Sequence, residues 1–233
     1  MNIAVIPARG GSKRIPRKNI KLFHGLPVIS YAINTARKSG IFDEIVVSTD
    51  DAEIAEIAKS YGAKIPWMRS KELSGDHVTT VSVMQDAAKK LGADFVGLEN
   101  VCCIYPATPL LKTNFLSRGL ELLTDGGWNY VFSAVAVESH PYRFFSLTPS
   151  TGVKMLFPDF EKSRTQDLES TYYDAGQFYW GTKKAWSAGL PILSVNSTIL
   201  ELPSNLTIDI DTVSDWKIAE NRYENLRGIS IER

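Results

Sequence analysis

Acidic residues are missing from the first forty positions of this 233-residue chain, which carry eight lysines or arginines instead. Formal net charge is nevertheless zero, so the rest holds 18 basic against 26 acidic residues. No basic helix or aromatic platform extends the cationic stretch, which argues against a nucleic-acid footprint. Cysteine is scarce as well. The two present, Cys102 and Cys103, are neighbours in the apolar run VCCI, which excludes a disulfide framework. A bond between adjacent cysteines is strained, so two reduced, strand-buried thiols are expected, as in a reducing compartment. Long apolar runs are absent too, and none approaches the ~20 residues that span a bilayer. The opening apolar run precedes its cations, the reverse of a secretory leader. A cytoplasmic protein is expected. The three histidines, His24, His77 and His140, have neither metal-ligand nor triad spacing.

The 44% of apolar residues can fill a core, and 22% charged is ordinary for a globular domain. One domain over 1–233 is the expectation. Apolar runs at 3–6, 44–48, 101–105, 130–135 and 177–180 predict strands. Between them, residues 28–38, 52–61, 80–91 and 114–123 repeat apolar positions at three- and four-residue spacing and predict helices. This alternation predicts an α/β fold, doubly wound around a mostly parallel sheet. Residues 138–171 break the pattern. HPYRFFSLTPSTGVKMLFP reads as two extended segments around a Pro-Ser-Thr-Gly turn. A projecting β-hairpin that serves as a dimerisation arm, and hence a homodimer, is expected; a lid over the same domain is the alternative. The chain closes with a strand, an acidic turn and an amphipathic helix from near Val213.

The cations concentrate directly after the first strand, in RGGSKRIPRKN, residues 9–19. Ligands of such sheets lie beyond the carboxyl ends of the strands. Two glycines let the backbone approach an anion, Ser12 adds a hydroxyl, and Arg9 and Lys18 can bracket phosphate oxygens. Neither G-x-x-x-x-G-K-[ST] nor G-x-G-x-x-G is present. A solvated basic turn is the plain alternative. Five mutually repelling cations favour an anion, and a triphosphate fits a loop of this size.

ARGGSKRIPRKN, residues 8–19, resembles the signature A-R-G-G-S-K-x-[IL]-x-x-K-N of the cytidylyltransferases that activate nonulosonic acids, the CMP-sialic acid synthetase (acylneuraminate cytidylyltransferase) family. VSTDDAEIAEIAKSYGA (47–63), RSKELSGDHVTT (69–80), YPATPL (105–110) and IDIDTVSDW (208–216) extend the resemblance over nearly the whole chain. It implies a Rossmann-like nucleotidyltransferase that uses CTP and Mg²⁺. It places Ala8, Arg9, Gly10, Gly11, Ser12 and Lys18 at the triphosphate and Asn19 at the nucleoside, with Arg69, Val78 and Thr80 at the cytosine. Without the resemblance, a surface ion pair with Glu72 is the alternative for Arg69. Arg9, Lys18 and Asp211 are the candidate catalytic residues, acting by charge stabilisation.

Asp209 and Asp211 share one face if their segment is an extended strand. Two hard oxygen ligands suit Mg²⁺, and the resemblance places the metal there; a cap on the closing helix is the other reading. Asp50 or Asp51 reads first as a cap on the helix that follows.

Two departures fall where the sugar should lie. Tyr105 stands where the family's sialic acid enzymes have glutamine, and Tyr173 where they have a second arginine. With RIPRKNIK (14–21) and RTQDLESTYYDAGQFYWG (164–181), these point to the branch that takes pseudaminic acid, for surface glycan or flagellin glycosylation. N-acetylneuraminic or legionaminic acid is the alternative, and Tyr105 and Tyr173 could equally be packing aromatics. Tyr105, Arg164, Gln166, Tyr173, Asp174 and Gln177 are the candidate sugar contacts, with Arg143 and Lys154 able to reach a partner's site. A glycosyltransferase and a non-catalytic nucleotide sensor are the rival classes.

Overall fold

The first strand, β1 (Asn2–Pro7), buries Ile3, Ala4, Val5 and Ile6 completely. A strand that is apolar on both sides needs a layer on each face of its sheet. A computed structural model, which describes residues 1–150 and 152–231, supplies both layers. The strands are β1, the short pair β2 (Leu22–Phe23) and β3 (Leu26–Pro27), β4 (Glu44–Ser48), β5 (Asn100–Ile104), β6 (Tyr130–Ala136), the hairpin β7 (Phe145–Thr148) and β8 (Gly152–Met155), β9 (Tyr172–Thr182) and β10 (Ser197–Glu201). The helices are α1 (Val28–Ser39), α2 (Ala52–Ser60), α3 (Thr80–Asp94), α4 (Thr113–Gly126), α5 (Lys183–Ala188) and α6 (Val213–Ile231).

Six strands form one sheet in the order β10-β6-β9-β5-β1-β4. The β10–β6, β5–β1 and β1–β4 ladders are parallel, whereas β9 runs antiparallel to both of its neighbours. The sheet is therefore mixed, with one reversed strand at its centre. Ile29, Ile33, Ile54 and Leu116 from α1, α2 and α4 pack on one face, against Ile6, Cys102 and Ile104. Met84, Ala87 and Leu91 of α3 and Trp186 of α5 pack on the other, against Ile3, Val5 and Cys103. The adjacent cysteines thus point to opposite faces, as alternation along a strand requires. Both are free and buried, and burial pushes both thiols well above their ordinary value. A smaller cluster ties Ile15, Phe23 and Val28 to Ile210, Trp216 and Ala219, fastening α6 beside the cationic loop.

The expected α/β fold is present, with two differences. Residues 207–211, read as a strand, pair with no strand. Strand β9 reaches five residues further towards the N-terminus than its apolar run, because its first half lies at the polar rim of the sheet. The hairpin is formed, in the register Phe145↔Met155 to Thr148↔Gly152, and Thr151 of its turn lies outside the described residues. Its strands pair only with each other, and Phe145, Leu147 and Val153 are 62%, 75% and 65% exposed. Among the described residues, no helix is long and apolar enough to cross a membrane.

Candidate active site

The loop after β1 lines a cavity of about 280 Å³ with Arg9, Ser12, Lys13, Arg14, Lys18, Asn19 and Asp211. Its cations are not unpartnered. Arg9 donates to Asp76 at 2.7 Å, and Lys13 pairs with the same carboxylate. Arg14 reaches Asp211 at 2.8 Å and Lys18 reaches it at 3.4 Å. Arg17 is clamped by Asp51 and Glu53. The repulsion inferred from the acid-free stretch is therefore relieved by acids from distant parts of the chain, and repulsion alone does not demand an external anion. Arg17 adopts a left-handed backbone, φ 55°, which costs a non-glycine residue roughly 1–2 kcal/mol. Its guanidinium holds the Asp51 carboxyl down to about 2. Asp51 also caps α2, accepting from Ile54 N at 3.0 Å, so it works as the cap its position suggested.

The loop amides differ from the expected cradle. Gly10 N donates to Asp50 Oδ1 at 3.0 Å and Ser12 N to Gly10 O at 3.0 Å, so neither amide is open; Gly11 N has no such partner among the described residues. A Cβ at Gly10 would lie 2.6 Å from Asp51 Oδ2, so the loop's close approach to the α2 cap requires glycine there. Ala8 is fully buried and donates its N–H to Ser48 O, which places it behind the cavity. Asn19 joins this cavity to a second one. Its Nδ2 donates to Arg9 O at 2.9 Å, while its buried Oδ1 has no partner.

The second cavity, about 410 Å³, is lined by Arg9, Arg14, Asn19, Arg69, Val78, Thr80 and Tyr105. Arg69 is buried and makes no ion pair with Glu72. Its guanidinium donates to Ser48 O and Oγ, and burial lowers it from its ordinary value. Thr80 Oγ1 lies 2.9 Å from Tyr105 Oη. The Tyr105 ring packs 5.3 Å from that of Tyr179, whose hydroxyl donates to Asp174 Oδ2 at 2.7 Å. Asp174 and Tyr179 are five residues apart on β9, a spacing that puts side chains of an unbroken strand on opposite faces. A bulge opposite Ser133 returns them to one face. Ser133 Oγ stitches it, accepting from Gln177 N and Phe178 N and donating to Phe178 O. Gly176 sits in the bulge at φ 59°, and a Cβ there would lie 3.8 Å from Asp209 Cγ and 3.9 Å from the Tyr105 ring. Gly176 thus lies between Asp209 and the Tyr105 ring.

Asp209 and Asp211 flank Ile210, which is buried in the α6 cluster, so both carboxylates face outward although no strand ladder holds them. Side chains hold the segment instead. Lys18 Nζ donates to Ile210 O at 2.7 Å, and Gln177 Nε2 donates to Ile208 O at 3.2 Å. Burial and the neighbouring Asp211 raise the Asp209 carboxyl above its ordinary value. The cap on α6 is Thr212, whose Oγ1 accepts from Asp215 N at 3.2 Å, while the Asp215 carboxylate accepts in return from the amides of Asp211 and Thr212.

Four expected sugar contacts are not brought to these cavities as side chains open to a ligand. Arg164 is exposed and spends its guanidinium on Asp167. Gln166 lines a separate cavity with Glu138, His140 and Glu169. Tyr173 lies on the exposed, β6-paired end of β9. Gln177 is 1% exposed and serves as a strut. Arg143, expected to reach a partner, donates to the carbonyls of Phe160 and Glu161 in its own arm, whereas Lys154 is exposed. Residues outside the expected set take part. Arg14 and Asp76 carried no signal beyond charge, and Tyr179 became relevant only through the bulge.

The chain is 44% identical over 223 residues to the pseudaminic acid cytidylyltransferase of Campylobacter jejuni subsp. jejuni serotype O:2, with 96% of each sequence covered. It is 33% identical to the CMP-N,N'-diacetyllegionaminic acid synthase of Legionella pneumophila, over 95% of this chain and 96% of that one. Among solved structures, a CMP:2-keto-3-deoxy-manno-octonic acid synthetase complexed with CTP superposes with a TM-score of 0.70, covering 94% of this chain and 97% of that one. At 17% identity that likeness is one of fold. A family model described as cytidylyltransferase matches residues 3–175. On the full-length similarity and this match together, the chain belongs to the cytidylyltransferase family.

Proposed function

We propose that this chain transfers the cytidylyl group of CTP to the anomeric hydroxyl of pseudaminic acid and releases pyrophosphate. The observation that carries this reading is the end-to-end similarity to a pseudaminic acid enzyme, well above that to the legionaminic acid enzyme. The two joined cavities support it. The cationic one suits a triphosphate, and the one lined by Arg69, Val78 and Thr80 suits a base. Binding exchanges the Asp76 carboxylate on Arg9 and Lys13 for phosphate oxygens. As the anomeric oxygen bonds to the α-phosphorus and its hydroxyl proton passes to solvent, the bond to the bridging oxygen breaks, and charge gathers on the departing pyrophosphate. Arg9, Arg14 and Lys18 face that charge, so catalysis here is positioning and electrostatic stabilisation.

Asp209 and Asp211 fit a hard divalent cation. Asp209 accepts no hydrogen bond among the described residues, and the like charge of Asp211 already strains its ionisation. Among the described residues no cluster of three or more His, Cys, Asp or Glu forms a metal cage, which suits Mg²⁺, an ion that keeps waters and phosphates as its other ligands. Bound there, Mg²⁺ neutralises phosphate charge.

The sugar assignment is tested by kcat/KM with CTP and purified pseudaminic, legionaminic and N-acetylneuraminic acids. Pseudaminic acid is expected to lead, by up to ~10⁴-fold over N-acetylneuraminic acid where buried polar groups are left unpaired by the wrong isomer. Equal use of N-acetylneuraminic acid removes the sugar assignment and leaves the cytidylyltransferase. No pyrophosphate from any of the three removes both, in favour of a sensor.

The arm supports a homodimer, placed in the cytoplasm where CTP is made. Phe145, Leu147 and Val153 present an apolar strip that a second copy would cover, while Tyr142, stacked 3.8 Å from Phe160, roots the arm. Sedimentation is expected to show a dimer, and removal of residues 144–156 an inactive monomer. A fully active monomer would make the hairpin a lid.

A further inference from the structure

Two cations of the loop after β1 are held differently from the rest. Arg14 and Lys18 share Asp211, which follows the buried Ile210, and Arg17 is fixed to the cap of α2. Arg9 and Lys13 have one carboxylate between them, that of Asp76, to which Arg9 Nη1 donates at 2.7 Å. Among the described residues neither side chain has another ionic or hydrogen-bonding partner. Asp76 lies on a strap, residues 70–78, whose two ends are secured. Arg69 N donates to Thr49 O at 2.7 Å, and Thr79 caps α3 by accepting from Ser82 N at 3.2 Å. Between these ends the backbone bonds stay within the strap, from Ser74 N to Lys71 O at 3.1 Å and from Val78 N to Gly75 O at 3.3 Å. Among the described residues, the Asp76 carboxylate is the strap's one ionic or hydrogen-bonding link to another part of the chain. All three charged groups are part-exposed, so this link can open without stranding a buried charge.

Resting on the cytidylyltransferase reading, we infer that Asp76 is a positioning residue that acts as a built-in competitor for pyrophosphate. It neutralises Arg9 and Lys13 while the site is empty and retakes them as the product leaves. A tethered carboxylate faces the two cations at an effective concentration of about millimolar or more, whatever the solution holds. A phosphate group must displace it, and the displaced charge stays close to the bound anion, where like charges repel. Both effects weaken every polyphosphate by a similar factor, yet the ligands differ in what else holds them. CTP also has the second cavity, whose lining includes Val78 of the same strap. Pyrophosphate carries no base and has the cationic cavity alone. The competitor therefore leaves CTP bound and lets the product go.

The test is a pair of dissociation constants, for inorganic pyrophosphate and for CTP, measured calorimetrically on the full chain in Mg²⁺ buffer. Asp76→Asn keeps the size of the side chain and removes its charge. It should bind both ligands about 3- to 10-fold more tightly than wild type, the scale of freeing two part-exposed ion pairs. Asp76→Glu keeps the charge on a slightly longer stem and should bind both much as wild type does. In turnover, Asp76→Asn should show a lower KM for CTP and stronger product inhibition by pyrophosphate. A merely structural role for Asp76 would weaken both ligands, the opposite sign. Unchanged or weaker binding of either ligand by Asp76→Asn overturns the inference, and so does equal tightening in Asp76→Glu, which would show that charge is not the cause. Pyrophosphate that binds neither wild type nor Asp76→Asn also overturns it. If Asp76→Asn fails to fold, Asp76→Ser is read by the same criteria. Pyrophosphate release from CTP and the sugar acid by wild type tests the enzymatic reading separately. Turnover with an unaltered affinity in Asp76→Asn would remove the competitor and leave the enzyme.

Discussion

Lys18→Ala is expected to lower kcat by about two to three orders of magnitude while leaving the protein folded. The size follows from removing one preorganised charged donor from a site where charge develops, about 2.7–4 kcal/mol. The geometry adds a reason particular to this chain. Lys18 Nζ is bonded to Ile210 O at 2.7 Å and lies 3.4 Å from Asp211, so one side chain ties the cationic loop to the acidic segment and orders it. Both kcat and the metal concentration needed for half-maximal rate should therefore move. Lys18→Arg should restore little, because a planar fork cannot replace a compact ammonium at a carbonyl reached from inside the loop. Arg9→Ala should act more on the KM for CTP, since Arg9 lines both cavities and sits at the rim with Asp76. Steady-state kinetics with a thermal melt on each variant decides the matter. Wild-type rates in both variants would return the loop to a solvated turn.

Loss of Asp211 should be more severe. Its carboxylate is shared by Arg14 at 2.8 Å and Lys18 at 3.4 Å, and it faces Asp209 across Ile210. Asp211→Ala removes a proposed metal ligand and leaves two cations without their partner, so activity is expected to vanish at any Mg²⁺ concentration. Asp209→Ala should instead raise the Mg²⁺ requirement. It relieves a like-charge neighbour and, as Asp209 accepts no hydrogen bond among the described residues, disturbs little else. Chelation supplies the control. Wild type stripped with EDTA should stop, and it should recover on adding Mg²⁺. Full activity in EDTA would show the pair to be structural, whatever the variants do.

Much of the framework could be read from patterns one residue deep. β4 is the run EIVVS, and α1 begins at the residue where its apolar spacing begins. What stayed hidden depended on pairing at a distance. The acids that neutralise the cationic loop come from positions 51, 53, 76 and 211, and no local window shows them together. The outward placement of Asp209 and Asp211 was foreseen for the wrong reason: alternation survives there without a strand, because a buried Ile210 and two side-chain struts impose it. Tyr179 was invisible because a bulge changes the parity of β9, and nothing in QFYWG announces that. Motif position alone suggests Arg164 and Gln166, and a motif does not specify where a segment joined to an exposed arm will rest.

The reversed strand also dictates an order of assembly during translation. β5 and β6 leave the ribosome one after the other, yet they are not neighbours, because the slot between them is reserved for β9. Until Thr182 has emerged, the β4-β1-β5 and β6 portions share no ladder, and closing the gap requires pairings across long stretches of chain, the slow kind. That closure also brings Tyr179, from the strand that fills the slot, against Tyr105 from one side of it. The acidic pair arrives later still, with residues 209 and 211. A nascent chain therefore closes the gap in its sheet only once β9 has emerged, adds β10 at the edge after that, and gains the segment carrying Asp209 and Asp211 last.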